Sequence, residues 1–573
     1  MRTLQAFIAK YSVAIFFALT FAISWGGALL AIGGGGAMRG TTPASDPRFA
    51  YAVMAMLVGP SVTGILLTWL VSGRRGLREY LSRLLRWRVG AMWYAVALLT
   101  APILMLATLL ALSATSPAFL PGIFTSQDTT SLLLISLAVG LSAGLFEELG
   151  WTGFAIPTLR RSYGVLSTGL IVGIVWSAWH LLPQVWSSRA AAGDLTMSVY
   201  LAATAVGVFV GYLTAFRILM VWVYELTESL LLGMLMHVSF TASLLTLNPL
   251  NLAGQNLQLY SFALAGILWV AVVAVHLSLR YRQDLSAARV RLAAVERRVI
   301  ATQWGAVEYA ERGSGDPVLV VHGIFQHCVA GLFSVRDLLL DRRVIAPSRF
   351  GYLGSSMPLN ATPAAQADAF AALLDALDIG QIDVVAFSAG TTSALQLALR
   401  HPEKVKHLAV LVGNLPGSST AIVQPPWTRR INRQLVMWAL RTFAPSTTAR
   451  LVAAVPRGFA MSGDDVRYVN EFIDSLFPLS PEGFNFDLFV SNADVANYKL
   501  ETISVPTLIA HTKDDQLASH AASQRAAERI PGARFVSLES GGHLMLGQQK
   551  KNGDELAAFF AEGKDRRAER VAS

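Results

Sequence analysis

Cys328 is the only cysteine among the 573 residues of this chain. A single thiol can form neither an internal disulfide nor a thiolate metal cluster, which excludes a disulfide-rich secreted fold. Charged residues are also scarce, at 14%, whereas hydrophobic residues make up 53% of the chain. This composition excludes a protein that is water-soluble throughout. The HExxH pattern of zinc proteases is absent as well, and the metal content of the chain stays undecided at this stage.

The excess of positive charge does not indicate a nucleic-acid partner. The net charge is +9, but the arginines cluster at the ends of apolar runs, as the positive-inside rule describes for membrane proteins. We therefore expect a lipid bilayer, and no nucleic acid, among the partners of this chain.

About eight apolar runs in the first half of the chain are long enough to cross a bilayer. The first run follows a positively charged N-terminal segment, as in a secretory signal peptide. The run is too long for such a signal and no clear cleavage site follows, so we interpret it as a membrane helix. The runs lie near residues 12–32, 50–72, 92–113, 131–149, 164–183, 196–216, 218–245 and 258–279.

Basic residues are distributed unevenly between the two sides of the predicted bundle. The opposite loops contain only Arg39, Arg48 and Arg189. This asymmetry predicts a multi-pass protein of the cytoplasmic membrane, with both termini and everything after the last run in the cytoplasm. The residues assigned to the cytoplasmic side are Arg2, Lys10, Arg74, Arg75, Arg78, Arg83, Arg86, Arg88, Arg160, Arg161, Arg217, Arg280 and Arg282.

Ionisable side chains interrupt three of these runs. Glu147 and Glu148 stand together in LFEELGWTGFAIP, His180 stands in WSAWHLLP, and His237 stands in LLLGMLMHVSF. Such groups are costly in lipid and usually mark a functional site. Counted from the predicted helix ends, they lie within about two helical turns of one depth, so we expect them to share a cavity. The alternative is that they only join helices through hydrogen bonds.

Three stretches of this region, FEELGWTGFAIPTL, WSAWHLLP and VWVYELTESLLLGMLMHVSFTAS, resemble the motifs of the CPBP family, the CAAX-processing and bacteriocin-processing intramembrane proteases. The resemblance implies an endopeptidase that acts on a peptide or protein substrate. In such an enzyme Glu147 with His180 would activate a water, and His237 with the residue four further on would hold the developing oxyanion. The catalytic residues it implies are Glu147, Glu148, His180, His237 and Thr241.

Two residues depart from the pattern of that family. Thr152 stands where the family usually has arginine, and Thr241 stands where it usually has asparagine. Thr152 cannot supply a positive charge to the glutamates, although Thr241 can still donate a hydrogen bond. The alternative function is therefore a degenerate protease domain that serves as a membrane anchor or scaffold. A transporter is suggested only by the number of helices, and no pair of broken helices in two matching halves supports it.

A globular composition replaces the apolar one after about residue 280. We expect three parts: an all-α bundle over 1–280, a basic linker helix over 281–297, and an α/β domain over 298–573. In the last part, short apolar runs alternate with helical patterns, which predicts a doubly wound, mostly parallel sheet. An inserted cap is expected over about 415–495. The predicted strands are PVLVVHG, RRVIAPS, QIDVVAFS, HLAVLVG, PTLIAHT and ARFVSLE.

The sequence AFSAG places Ser388 between a predicted strand and a predicted helix. This is the setting of a nucleophile elbow, in which small residues allow a sharp turn beneath the serine. Asp515 follows a later strand and His543 follows it in GGHLM, so the order is Ser, Asp, His. Ser388 would attack a carbonyl, His543 would take its proton, and Asp515 would orient the imidazole. Asp514 is the competing acid.

This order of motifs, together with VVHGIFQ near residue 322, resembles the α/β-hydrolase family over about 270 residues. The resemblance implies an oxyanion hole formed by the backbone N–H groups of Ile324 and Ala389. It also implies acyl chemistry on a small ester, thioester or amide, without a cofactor, because the nucleophile is a serine. The identity of the acyl substrate is not readable, since cap side chains decide it.

Overall fold

The computed structural model describes residues 2–36, 46–418 and 432–572. The chain divides into two compact units, Met1–Ser278 and Leu279–Ser573.

Long apolar helices form the first unit. Seven helices of the described chain are long and apolar enough to cross a membrane, and a pair bent by 59° brings the number to as many as eight. This agrees with the number of runs predicted from the sequence. In chain order they are α1 (Ser12–Ile32), α2 (Phe49–Leu84), α3 (Ala91–Ser113), α4 (Thr129–Leu159), the bent pair α5 (Val165–Trp179) and α6 (Leu181–Ala191), α7 (Met197–Thr227), α8 (Leu230–Leu247) and α9 (Gly254–Ala293).

Glycines let the central helix α4 approach its neighbours closely. A Cβ atom at Gly144 would lie 2.8 Å from the carbonyl oxygen of Met234 in α8. On another side of α4, a Cβ at Gly150 would lie 2.3 Å from the carbonyl oxygen of Pro60 in α2. Larger residues would push these helices apart. That would weaken their association, since in lipid it depends on close van der Waals packing.

Arg217 lies inside helix α7, and not in a loop as predicted from the sequence. The sequence places Arg217 in a cytoplasmic loop between two apolar runs, but α7 extends from Met197 to Thr227, and its one break in helical geometry is at Gly211, before Arg217. The Arg217 side chain is fully buried within the unit. The prediction was wrong because the apolar residues on both sides of Arg217 belong to one helix and not to two.

An eight-stranded sheet forms the framework of the second unit, in the order β1-β2-β4-β3-β5-β6-β7-β8. Strand β2 is antiparallel to both β1 and β4, and the remaining pairs are parallel. The six predicted strands are all present, whereas β1 and β2 were not predicted. The strands are β1 (Arg297–Thr302), β2 (Gly305–Arg312), β3 (Pro317–Val321), β4 (Arg343–Pro347), β5 (Ile382–Phe387), β6 (Val405–Leu411), β7 (Thr507–Thr512) and β8 (Arg534–Leu538).

Helices cover the sheet, as expected for strands that are buried on both faces. Every residue of β5 and of β7 is buried, which explains their continuous apolar sequence. In its described residues, the insertion predicted as a cap contains four α-helices of six or more residues between β6 and β7. The helices of this unit are α10 (Cys328–Ser334), α11 (Pro363–Ala376), α12 (Thr391–Arg400), the cap helices α13 (Arg433–Phe443), α14 (Pro445–Ala453), α15 (Gly463–Ser475) and α16 (Pro481–Phe486), and then α17 (His520–Arg529) and α18 (Gln549–Ala572).

The segment predicted as a separate linker helix, 281–297, is divided between two elements. Its first part continues α9 to Ala293, and its last residue, Arg297, begins β1.

Cys328 is expected to be chemically inert in the folded protein. It is fully buried at the start of α10, and burial raises the pKa of its thiol to about 12. At pH 8 only about one thiol in 10⁴ would then be the reactive thiolate. Maleimide should therefore leave the native chain unlabelled and should label it fully after unfolding in guanidinium. Rapid labelling of the native chain would contradict the buried position.

Candidate active sites

Ser388 occupies a sharp turn at the end of β5. Its φ angle is +48°, in the left-handed region that non-glycine residues rarely adopt. Gly390 makes this turn possible, because a Cβ at that position would lie 2.4 Å from the carbonyl oxygen of Val321 in β3. The turn therefore presents the serine hydroxyl at the carboxyl edge of the sheet, where α12 begins.

His543 connects Ser388 to Asp515. Its Nε2 lies 2.8 Å from Ser388 Oγ, and its Nδ1 lies 2.7 Å from Asp515 Oδ2. The other carboxylate oxygen of Asp515 accepts backbone N–H bonds from Leu517 at 2.7 Å and Ala518 at 3.1 Å. These contacts fix the carboxylate, so that it orients the imidazole toward the serine.

Asp514, the competing acid, has a different set of partners. Its carboxylate accepts the backbone N–H groups of Gly541 at 3.1 Å and Gly542 at 2.9 Å. Asp514 thereby holds the loop that carries His543, whereas Asp515 contacts the imidazole itself.

A second imidazole also bonds to Asp515. His511 Nε2 lies 3.2 Å from Asp515 Oδ2 and 3.3 Å from the carbonyl oxygen of Ala518. Because both of these atoms are acceptors, Nε2 carries the proton, and Nδ1 accepts a bond from Ser523 Oγ at 2.7 Å. Burial acts to raise the pKa of Asp515, but the bonds from His511 and His543 outweigh it and hold that pKa well below its usual range. Asp515 is therefore ionised at neutral pH.

Removing the imidazole of His511 is expected to lower kcat of the hydrolase site and to leave KM unchanged. His511→Ala takes away one donor that fixes Asp515, and losing a hydrogen bond to a charged group should cost roughly tenfold in rate. His511→Gln keeps a donor and should recover part of the loss. The matched control is His520→Ala, because His520 bonds to Ser537 at 2.8 Å and not to Asp515. A rise in KM without a fall in kcat would contradict this positioning role.

The loop after β3 lies against the turn that carries Ser388. A Cβ at Gly323 would lie 3.2 Å from the Cβ of Ser388. The two backbone N–H groups predicted to form an oxyanion hole, those of Ile324 and Ala389, therefore belong to the two turns that meet at Ser388. A small cavity of about 50 Å³ adjoins Ser388 and His543, and polar residues such as Gln326 line part of it.

The polar residues predicted for the membrane unit meet at a second cavity, of about 720 Å³. Glu147, His180, His237 and Thr241 all line it, although they come from three different parts of the chain. Trp176 Nε1 donates a hydrogen bond of 2.7 Å to Glu147 Oε2. The structure does not bring His180 into a direct bond with Glu147. His180 lies at the bend between α5 and α6, where its Nδ1 is 2.9 Å from the carbonyl oxygen of Trp176.

Glu148 lies behind this cavity, in a fully buried cluster of charges. Arg217 Nη1 is 2.8 Å from both carboxylate oxygens of Glu148. His237 Nδ1 is 2.7 Å from Glu148 Oε1, and the hydroxyl of Thr152 donates to Glu148 Oε2. The positive charge that position 152 lacks is therefore supplied by Arg217, from another helix. Glu148 in turn fixes the ring of His237, which faces the cavity.

Trp176 joins the two parts of this site. The guanidinium of Arg217 lies 4.0 Å from the centre of its ring, and the rings of His180 and His237 meet it edge to face at 4.9 Å and 5.4 Å. The contacts of Trp176 and Arg217 in this site were not predicted from the sequence. For Arg217 there was a signal, because apolar residues continue on both sides of it and place it inside a helix.

Within residues 2–36, 46–418 and 432–572 there is no group of three or more histidine, cysteine or carboxylate side chains that could hold a metal ion.

Comparisons with known proteins match both units. Residues 316–548 match the family model for the alpha/beta hydrolase fold, and residues 129–243 match that for the Type II CAAX prenyl endopeptidase, Rce1-like. The 2-hydroxymuconate semialdehyde hydrolase of Pseudomonas putida is 30% identical over 247 residues, which cover 41% of this chain and 82% of that protein. The uncharacterized hydrolase YcgS of Bacillus subtilis is 29% identical over 290 residues, which cover 47% of this chain and 100% of that protein.

The similarity in the membrane unit is shorter. The CAAX prenyl protease 2 of Methanococcus maripaludis is 37% identical over 62 residues, which cover 11% of this chain and 21% of that protein. Among solved structures, an alpha/beta hydrolase fold protein from Nakamurella multipartita is 25% identical, with a TM-score of 0.39, and the match covers 47% of this chain and 100% of that one.

Proposed function

The chain belongs to the α/β-hydrolase fold family, and we propose that it is a membrane-bound hydrolase with two separate catalytic sites, because residues 129–243 also match the model for Rce1-like CAAX endopeptidases. One site is a serine hydrolase and the other is an intramembrane endopeptidase.

The hydrolase site is supported best by a single observation, the chain of hydrogen bonds from Ser388 through His543 to Asp515. With Nε2 of His543 at 2.8 Å, the Ser388 hydroxyl can transfer its proton as the oxygen attacks a carbonyl. The N–H groups of Ile324 and Ala389 would bind the oxyanion of the tetrahedral intermediate. His543 would then protonate the leaving group. In the second half of the reaction, a water that gives its proton to His543 would attack the acyl-serine ester, and His543 would return that proton to the Ser388 oxygen as the acid is released. The expected substrate is a small ester, thioester or amide.

The endopeptidase site is supported by the convergence of Glu147, His180 and His237 at one cavity. Glu147 is held by the Trp176 N–H through one oxygen, so the carboxylate can accept a proton from a water in the cavity. His237 donates its Nδ1–H to Glu148, so only the doubly protonated ring would also donate, through Nε2–H, to the oxygen of the cleaved peptide bond, with Thr241 beside it. The proposed substrate is a peptide or protein that reaches the cavity from the membrane.

The alternative, a degenerate protease that only anchors the hydrolase, rested on Thr152 and Thr241. Arg217 provides the positive charge next to Glu148 that Thr152 cannot provide. One of the two reasons for a lost activity is therefore weaker, and we favour an active peptidase. The distribution of arginines supports a cytoplasmic position for both termini and for the hydrolase unit.

Two assays on the full chain in nanodiscs test this proposal. One follows short p-nitrophenyl esters, and the other follows cleavage of a prenylated CAAX peptide. We expect Ser388→Ala to abolish only ester hydrolysis and Glu147→Gln to abolish only peptide cleavage. Ester hydrolysis without any peptide cleavage by the native chain would favour the anchor, and peptide cleavage that survives Glu147→Gln would exclude the proposed site.

A further inference from the structure

A single π-helical turn, Asp487–Ser491, lies near the end of the cap insertion, directly after α16. Its backbone is wound so that the N–H of Asn492 bonds to the carbonyl oxygen of Asp487, five residues earlier. Turns of this kind are rare, and they are frequent at functional sites. Both Asp487 and Ser491 are fully buried, so their polar side chains need partners inside the second unit.

One connection runs from this turn to the loop after β3. The carboxylate of Asp487 accepts bonds from both terminal nitrogens of Arg349, and the Tyr352 hydroxyl donates to it at 2.6 Å. The oxygen of that hydroxyl accepts the backbone N–H of Phe325 at 3.2 Å. Because Arg349, Tyr352 and Asp487 are fully buried, water does not compete for these bonds. A carboxylate of the cap insertion is thereby connected to the residue next to Ile324, one of the two expected oxyanion donors.

The backbone of Phe325 needs support of this kind. Its φ angle is +67°, in the left-handed region, where a non-glycine residue persists only if its surroundings hold it. Its ring is stacked on that of Phe484 in α16, with the ring centres 4.5 Å apart. The same helix lies directly on Tyr352, since a Cβ at Gly483 would lie 2.4 Å from that ring. Without the Tyr352 hydroxyl, the N–H of Phe325 loses its acceptor and the loop can relax.

A second connection runs from the residue after the turn to the nucleophile. Asn414 Nδ2 donates to the side-chain oxygen of Asn492 at 3.1 Å and to its backbone oxygen at 3.3 Å. The backbone N–H of Asn414 donates to the carbonyl oxygen of Ser388 at 3.0 Å. This carbonyl and the N–H of Ala389 belong to one peptide group, and a peptide group is planar. Fixing the carbonyl therefore also fixes the direction of the second expected oxyanion donor.

We propose that the π-helical turn positions the two halves of the oxyanion hole relative to each other, with Tyr352 and Asn414 as the positioning residues. An oxyanion hole stabilises the transition state only when its donors point at the same oxygen. Tyr352 would act through the loop that carries Ile324, and Asn414 would act through the peptide group of Ala389. The inference rests on the proposed serine hydrolase site and assigns to the cap insertion a part in the rate of that site.

Tyr352→Phe tests the first connection by removing a single oxygen atom. The matched control is Tyr498→Phe, because Tyr498 is also buried and its hydroxyl also donates to a carboxylate, that of Asp494 at 3.0 Å. The full chain in nanodiscs is assayed for kcat and KM with p-nitrophenyl butyrate, and for the inhibition constant of a butyl trifluoromethyl ketone. Ser388 Oγ adds to the carbon of this ketone and gives its proton to His543. The former carbonyl oxygen then becomes an oxyanion like that of the transition state.

We expect Tyr352→Phe to lower kcat about tenfold and to raise the inhibition constant of the ketone by a similar factor. KM should stay within a factor of about two, because the weakened bonds to the substrate oxygen form mainly in the transition state. Asn414→Ala should change the same two quantities in the same direction, through the other donor. Tyr498→Phe should change none of them by more than about twofold.

A fall in kcat without a matching rise in the inhibition constant would overturn the proposal, since a smaller fraction of folded enzyme gives that result. Equal values for Tyr352→Phe and Tyr498→Phe would also overturn it, while leaving the hydrolase site intact. A native chain that neither hydrolyses the ester nor binds the ketone would contradict the serine hydrolase site itself, and the positioning role with it.

Discussion

Replacing Arg217 with threonine is expected to destabilise the membrane unit by about 3–5 kcal/mol, because it leaves the buried Glu148 carboxylate without its cation. Arg217 and Glu148 are both fully buried and lie 2.8 Å apart. In Arg217→Thr, the remaining bonds to Glu148 come from His237 and Thr152, and neither side chain carries a permanent charge. Thermal unfolding of the detergent-solubilised chain should show this as a lower transition temperature.

The exchange variant Thr152→Arg with Arg217→Thr tests whether the two positions are interchangeable. Thr152 already contacts Glu148 from one helical turn away, and exchanging the residues leaves the total side-chain volume unchanged. The exchange should recover a large part of the stability lost in Arg217→Thr. The control is Arg161→Thr, which removes an exposed arginine of the same unit and should change stability little. If the exchange variant is no more stable than the single variant, Arg217 does not replace the missing arginine at position 152.

Ser388→Ala is expected to reduce ester hydrolysis by roughly 10⁴- to 10⁶-fold in kcat, because it removes the nucleophile while the rest of the site remains. The alanine should also fold normally, since Ser388 Oγ makes its hydrogen bond to His543 and supports no other part of the fold. The measurement is the steady-state hydrolysis of p-nitrophenyl butyrate by equal amounts of folded protein.

Ser286→Ala provides the control for this loss. Ser286 is an exposed serine in the last part of α9, and its removal should leave the hydrolysis rate within a factor of about two of the native value. A Ser388→Ala protein that retains more than a few per cent of the native rate would show that another group is the nucleophile.

The sequence was sufficient to predict the three residues of the candidate hydrolase site that the structure brings into hydrogen-bond contact, because each is marked by its local surroundings. Ser388 stands between a buried strand and a helix, and Asp515 and His543 each follow a strand. The residues alone leave both Asp514 and Asp515 open, and Asp515 is favoured at that point only by the resemblance to the α/β-hydrolase motif. The distinction depends on the course of the loop that carries His543. In the structure, Gly541 and Gly542 of this loop donate their backbone N–H groups to Asp514, whereas His543 itself contacts Asp515.

The edge strands β1 and β2 were missed for a different reason. They form the antiparallel edge of the sheet, and β1 is only partly buried along its length. A strand at an edge needs no continuous apolar run, so a search for buried strands does not detect it. The six predicted strands lie further inside the sheet or pair with a parallel neighbour.

In the membrane unit, the sequence predicted which residues would meet but not how they are held. The depth of Glu147, His180 and His237 followed from helix lengths, and these residues do line one cavity. The partners of Glu148 could not be derived in this way. Arg217 is far from Glu148 in the chain, and an arginine at the apparent end of an apolar run is usually a loop residue.

Fluorophosphonate labelling of native membranes tests directly whether Ser388, His543 and Asp515 form an active site. We expect stoichiometric modification of Ser388 in the native chain, found by mass spectrometry of the peptide that contains it. We also expect no modification in Ser388→Ala and a greatly slowed reaction in His543→Ala. If the folded native chain does not react, or reacts at another serine, these three residues do not form an active site.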